Sequence, residues 1–260
     1  MTAEKIIEEL CKLQGVDAVA IGGSRASGNA DENSDYDVYV YFMQKPDEQQ
    51  RRNLLEPCCR ALEIGNHYWE YEDNCILDDG TPMDIIYRPI MVFTDKNVTF
   101  DFLFGSKNGY STCFLHNIAT CKIVYDKSGA FSKLQQGLID QYPDKMRRDI
   151  IERNMKLIHG QLPSYDNQIK KAVERNDLVS INHRTTGFLE SYFDIIFALN
   201  RMTHPGEKKL IKICKEKCSI LPKDFEKNLK KLFSSMYKKY DFNTLNRIIE
   251  ELEKTVQENM

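Results

Sequence analysis

Asp35 and Asp37 stand one residue apart at the head of a β-prone, largely apolar run, Tyr36-Asp37-Val38-Tyr39-Val40-Tyr41-Phe42. Side chains alternate along a strand, so acids at i and i+2 point to one side. Oxygen-only pairs of this kind suit Mg²⁺, which is usually held by one or two carboxylates together with substrate phosphates. Upstream lies Ile21-Gly22-Gly23-Ser24-Arg25-Ala26-Ser27-Gly28. Glycines let a backbone approach a ligand closely, and a turn of N–H groups ahead of a helix binds anions such as phosphate. A phosphate cradle beside a carboxylate pair predicts a nucleotide–metal site. A third acid, Asp84, interrupts the apolar run Met83-Asp84-Ile85-Ile86-Tyr87. An acid there is costly unless it is paired, metal-bound or facing a cleft. Glu70 and Glu72 compete for the same place, although a solvated strand face would account for both.

These residues need strands and tight turns to hold them. Ile6, Ile7, Leu10 and Leu13 recur at helical spacing after Thr2, a good N-cap, and Gly15 ends that helix. Val16 to Ile21 reads as the first strand, followed by the glycine turn, a short helix over 24–28 and a polar loop over 29–34. The run through Phe42 is too apolar for an exposed edge and predicts a central strand. Pro46 is placed to start a helix running toward Glu63, with Leu54, Leu55, Cys58 and Leu62 inward. Trp69 to Leu77 reads as a strand, Asp79-Gly80 as a hairpin turn, and Met83 to Tyr87 as the returning strand. Phe100, Phe102, Leu103 and Phe104 are candidates to pack beneath the sheet, and Gly105 to Gly109 reads as a mobile loop. Lys122 to Asp126 is expected to be the last strand.

An apolar strand, Gly23-Ser24, a polar loop and then Asp35-Tyr36-Asp37 on a second strand, with Asp84 further on, resembles the signature of the nucleotidyltransferase superfamily. That superfamily includes polymerase-beta-like and antibiotic-modifying enzymes. The resemblance covers about the first third of the chain. It implies an α+β protein: a nucleotidyltransferase domain over 1–128, a mixed sheet with flanking helices, then an all-α helical-bundle substrate domain over 129–260. It also implies that Asp35 and Asp37 hold Mg²⁺, and that Gly23, Ser24 and Arg25 position the triphosphate of ATP or another nucleoside triphosphate. Asp84 would complete a two-metal clamp or act as general base on an acceptor hydroxyl.

The second half is helical by pattern. Helices are expected over 131–141, from Asp144, over 166–174 and over 178–201. The last is the most apolar, with Phe188, Tyr192, Phe193, Ile196 and Phe197 on one face, a stripe that reads as core. Asn200-Arg201, followed by His204-Pro205-Gly206-Glu207-Lys208-Lys209, looks like a turn found in bacterial nucleotidyltransferases grouped with the antibiotic-modifying enzymes. Pro-Gly breaks the helix, and the next one begins beside two lysines, so Asn200, Arg201 and Lys208 could clamp a triphosphate. An ordinary helix-turn-helix with solvated lysines explains the same residues. Glu190 and Asp194, four residues apart on the polar side, could meet the acceptor's hydroxyl proton or amine, or simply be hydrated. Tyr110, Tyr192 and Trp69 would suit a sugar or a cationic amine. His183 and His204 are weaker candidates, since a histidine near a helix end is commonly structural.

Composition narrows the partners. The 260 residues carry a net charge of −3 and are 29% charged. The absence of a basic excess argues against a long nucleic acid as acceptor. Eight cysteines are scattered without a Cys-x-x-Cys pair, and neither a leader nor an apolar run of about eighteen residues is seen. Free thiols in a reducing cytoplasm are expected. Zinc on Cys214 and Cys218 would lack a second ligand pair. The expected activity is Mg²⁺-dependent transfer of a nucleoside monophosphate to a hydroxyl of a small molecule, aminoglycosides and lincosamides being the family precedent. Nucleotidylation of a protein hydroxyl, and a non-catalytic nucleotide-binding or antitoxin-like role, stay open as alternatives.

Overall fold

The computed structural model describes residues 1–26, 34–94, 105–140 and 142–260. Ser27 and Gly28 of the glycine turn, residues 29–33 of the polar loop, and Phe100 and Phe102 to Phe104 lie outside the described residues. The chain is α+β, as expected, and divides into two compact units. The first is Met1–Phe102 with Asn117–Gln141, the second Leu103–His116 with Tyr142–Met260. The division departs from a single cut after residue 128: the 130–140 helix belongs with the sheet, and the 103–116 segment with the helices.

The first unit is a mixed six-stranded sheet. Its strands are β1 (Val16–Ile21), β2 (Tyr36–Phe42), β3 (Cys59–Asn66), β4 (Glu72–Leu77), β5 (Pro82–Pro89) and β6 (Lys122–Asp126). They lie in the order β3-β4-β5-β2-β1-β6, with β2 and β5 parallel and the other neighbours antiparallel. β2 is central, as its composition predicts, and Val38 to Tyr41 are all buried. A strand covered on both faces has no reason to alternate apolar with polar. One face carries α1 (Ala3–Leu10), whose Ile6, Ile7 and Leu10 enter a core with Val19, Val40 and Ile85. Thr2 caps α1 by accepting from the Lys5 N–H at 3.4 Å. Elsewhere Tyr41 packs against Phe93 of the short α4 (Met91–Thr94), ring centroids 5.5 Å apart, and against Phe131 at 4.2 Å.

Two expectations fail here. The helix starting near Pro46 does not reach Glu63: α3 covers Glu48–Leu55, a 3₁₀ turn follows over Glu56–Cys58, and β3 begins at Cys59. Pro57 is the reason, because a proline disfavours helical backbone at the residue before it and has no N–H to donate. The β4 strand starts at Glu72 and not at Trp69, leaving Trp69 89% exposed in the connecting loop. α3 and β4 are joined by an ion pair hidden from the sequence pattern. Arg51 and Asp73, both fully buried, pair directly, and Arg51 also reaches the Tyr71 hydroxyl.

After α5 (Cys113–Thr120) and α6 (Ala130–Asp140), the remaining helices are α7 (Asp144–Ile158), α8 (Tyr165–Glu174), α9 (Leu178–Leu199), α10 (Leu210–Lys217), α11 (Phe225–Ser235) and α12 (Phe242–Asn259). α9 is the axis of the second unit: Asp177 caps it on the Ser180 N–H at 3.0 Å, and Phe188, Tyr192, Ile196 and Phe197 are buried as the stripe predicts. Among the described residues no helix is long and apolar enough to cross a membrane. All eight cysteines are free thiols.

Candidate active site

Strand pairing brings the three predicted acids together. Asp37 of β2 and Asp84 of β5 are register partners in the parallel pair. Asp35, two residues upstream, lies on the same side as Asp37. Carboxylate oxygens of Asp35, Asp37 and Asp84 all lie within 4.8 Å of one another, and each residue is half-buried. Among the described residues no other cluster of acids, histidines or cysteines meets that measure. An oxygen-only set at this spacing, open on one side to solvent, fits a hard divalent cation such as Mg²⁺.

The glycine turn is built around Asp37. The Gly22 N–H donates to the Asp37 carbonyl at 2.8 Å. Gly23 opens the four-residue α2 (Gly23–Ala26) at φ +59°, and a Cβ there would stand 2.0 Å from Asp37 Oδ2. Only glycine combines that backbone with that approach. Arg25, expected to position phosphate, turns onto the protein instead. Its Nε donates to the Asp35 carbonyl at 2.9 Å and its Nη2 to the Ser34 carbonyl at 2.5 Å. The guanidinium also lies 3.8 Å over the Tyr36 ring, whose hydroxyl donates to Glu4 at 2.8 Å. Arg25 therefore fixes the backbone that presents Asp35. Ser24 sits in α2 beside it.

Asp84 has a support that sequence reasoning missed. Asn74 of β4 is its register partner on the other side, and Asn74 Nδ2 donates to Asp84 Oδ1 at 2.7 Å. Asn66 of β3 in turn donates to Asn74 Oδ1, which orients the amide. Asn74 stands two residues from Glu72 on an alternating strand, and that spacing was the one available signal. Glu72 is 8% exposed, and burial pushes its carboxyl above the usual range, with Asp84 and Glu70 adding to the effect. Glu70 is not a third acid. It takes a two-pronged grip from Arg88, at 2.8 and 2.6 Å.

The candidates of the second unit separate sharply. Asp194 is 2% exposed and not hydrated. It accepts from the Ser111 N–H at 3.1 Å, the Ser111 hydroxyl at 2.5 Å and Asn154 Nδ2 at 3.1 Å. Burial pushes its carboxyl up to about 6 despite those donors. It staples the segment around Ser111 to α7 and α9 and has no open face for an acceptor. Asn200 closes α9: its Nδ2 donates to the Ile196 and Ile220 carbonyls, both at 2.8 Å, and its Oδ1 accepts from the Ile220 N–H at 2.8 Å. Its amide is used up by that cap and is not a phosphate ligand. Arg201 pairs with Asp144 at 2.5 Å on the surface. Lys208 is exposed. His204 is buried against Tyr110 and Phe197, which drops its imidazole to about 4, while His183 is exposed. Tyr192 is core and Trp69 lies on the surface, so neither meets a ligand in the predicted manner. Glu190 is half-buried and lines a cavity with Tyr110 and Phe193.

Residues 3–106 match the nucleotidyltransferase domain family. Residues 111–210 match a domain of unknown function (DUF4037). No curated protein matches the chain in sequence. Among solved structures, a nucleotidyltransferase-like protein from Exiguobacterium sibiricum 255-15 aligns at 8% identity and TM-score 0.42, over 98% of this chain and 73% of that one. An aminoglycoside 6-adenyltransferase from Bacillus subtilis aligns at 12% identity and TM-score 0.32, over 98% and 89%. The Thermotoga maritima CCA-adding enzyme, in complex with tRNA, aligns at 12% identity and TM-score 0.28, over 99% and 82%.

Proposed function

We propose that this chain, whose residues 3–106 match the nucleotidyltransferase domain family, moves a nucleoside monophosphate from ATP or another nucleoside triphosphate to a hydroxyl of a small molecule. The observation that supports this best is the meeting of three carboxylates within 4.8 Å beside a glycine turn. Asp35, Asp37 and Asp84 would hold Mg²⁺, which when bound offsets the charge of the phosphates and of the leaving pyrophosphate. Gly23, having no Cβ, lets Asp37 take its place in the set, and Arg25 keeps Asp35 aimed. An acceptor oxygen attacks the α-phosphorus in line. The new P–O bond forms as the bond to the β-phosphate oxygen breaks, and pyrophosphate departs. The hydroxyl proton passes to a carboxylate oxygen of Asp84, whose Oδ1 is steadied by Asn74.

The small acceptor is favoured by charge. A net charge of −3 gives the chain no overall basic excess of the kind that favours a long nucleic acid. The free thiols fit a cytoplasmic location. The test is mass spectrometry after incubation with Mg²⁺, each of the four nucleoside triphosphates and a panel of aminoglycosides and lincosamides. A drug carrying one added nucleoside monophosphate, absent with Asp37→Asn, is the expected result. Label on a protein band and on no small molecule would move the acceptor to a protein hydroxyl. Failure to bind any nucleotide would sink the proposal.

A further inference from the structure

The second unit carries a cavity of about 850 Å³, open to solvent on one side and lined by α9, α10, α11 and the segment around Tyr110. Its walls are largely apolar, formed by Leu189 and Phe193 of α9, Leu210 and Ile211 of α10, and Phe233 of α11. Phe233 is 45% exposed although it sits on a helix whose Leu229 and Leu232 are fully buried. A space of this size suits an organic molecule with a ring-sized apolar body, and such sites are completed by a few placed polar groups.

The charged groups around the cavity fall into two sets. Glu226 is held by Lys215 at 2.5 Å and Lys230 at 2.7 Å, and Lys212 pairs with Glu216 at 3.8 Å. Lys212 and Glu216 cancel, whereas Glu226 between two lysines leaves that group one positive charge in excess. Glu190 and Glu207 also line the cavity, and neither has an ion-pair partner among the described residues. Lys209 opens on the same space and pairs with neither. The two free acids act on one ring: burial, then Glu190 and Glu207, push the Tyr110 hydroxyl up to about 12. Burial also raises the Glu190 carboxyl. Across the whole lining four lysines balance four glutamates, but among the groups without an ion pair Glu190 and Glu207 outnumber Lys209, so this set beside Tyr110 is one positive charge short. An ammonium gains from both, through charge-assisted hydrogen bonds and the face of the ring.

We propose that this cavity binds an organic amine, its ammonium set among Tyr110, Glu190 and Glu207 and its apolar body against Leu189, Phe193, Leu210 and Phe233. The proposal concerns the second unit alone and stands whether or not the first transfers nucleotide. It is tested by isothermal titration of the full chain, without nucleotide, against three probes of one shape: 3,3-diphenylpropylamine, 3,3-diphenylpropanol and 3,3-diphenylpropionate. The amine is expected to bind at least about tenfold tighter than the alcohol, which corresponds to about 1.4 kcal/mol. Glu190→Gln should bring the amine down to the affinity of the alcohol, and Glu250→Gln, an exposed glutamate of α12 outside the cavity, should leave it unchanged. Thermal melts of both variants check that they are folded. Equal affinity for amine and alcohol, preference for the carboxylate, an undiminished Glu190→Gln, or no heat from any probe at about 1 mM would each overturn the assignment.

Discussion

Gly23→Ala tests whether the glycine turn exists to let Asp37 come close. The added methyl would stand 2.0 Å from Asp37 Oδ2, whereas ordinary contact begins near 3.4 Å, so the carboxylate must retreat by about 1.4 Å. Metal–oxygen bonds tolerate about 0.2 Å of misplacement. A reacting geometry displaced by about 1 Å loses on the order of a hundredfold in rate. Alanine at φ +59° adds about 1–2 kcal/mol of backbone strain, a tolerable share of the roughly 5–15 kcal/mol that holds a domain folded. The variant is therefore expected to fold, to melt only a few degrees lower, and to lose about two orders of magnitude in pyrophosphate release. A Mn²⁺ titration followed by electron paramagnetic resonance gives a second readout that needs no acceptor, and it should show the same weakening of the site. Turnover and Mn²⁺ affinity within threefold of the parent would refute the reasoning, because the carboxylate would then have another place to go.

Asn74→Ala removes the donor that steadies Asp84 and is expected to weaken Mn²⁺ binding about tenfold, by the same titration, with the fold intact. Arg51→Met leaves Asp73 charged, buried and without its cation, and should cost about 3–5 kcal/mol in urea unfolding. Asp194 titrates at about 6 when folded against 3.8 as an ordinary carboxyl, so the folded state holds the extra proton across that interval. Stability contributed by this group is thus greatest below pH 4 and is lost as pH rises toward about 6, at up to about 1.4 kcal/mol per pH unit. Asp194→Asn should flatten that part of the stability–pH curve, and an unchanged slope would show that the carboxyl is not the source.

The clustered acids were legible because their chemistry conflicts with their surroundings: Asp37 and Asp84 interrupt apolar strands, and glycines precede Asp37. The supports were not. Asn66 lies on β3, the strand displaced by the helical reading toward Glu63, whereas Asn74 and Asp73 lie on β4 and Arg51 on α3, elements that were read but whose pairing was not. Polar residues on an edge strand look like solvent-facing ones until the partner strand is known. Asp194 misled for a related reason. Its four-residue spacing from Glu190 placed both on the polar side of α9, yet that side is where Ser111 and Asn154 close over it. Periodicity finds the apolar stripe of a helix. It does not say which other faces become covered when a segment distant in sequence folds across.

The Leu77–Pro82 hairpin has a consequence of its own. The Leu77 N–H donates to the Thr81 carbonyl and the Gly80 N–H to the Leu77 carbonyl, both at 2.9 Å, and this short loop decides which residue of β4 stands opposite Asp84. A slip of one position between paired strands turns every side chain to the opposite face. Lengthening the loop by a single residue would set Asn74 against a neighbour of Asp84, leaving every amino acid of the site present and its arrangement lost. Among descendants of this sequence, insertions and deletions in that loop should therefore be rarer than substitutions. The loop's length thus helps set the Asp35–Asp37–Asp84 cluster, although its own residues lie outside that cluster.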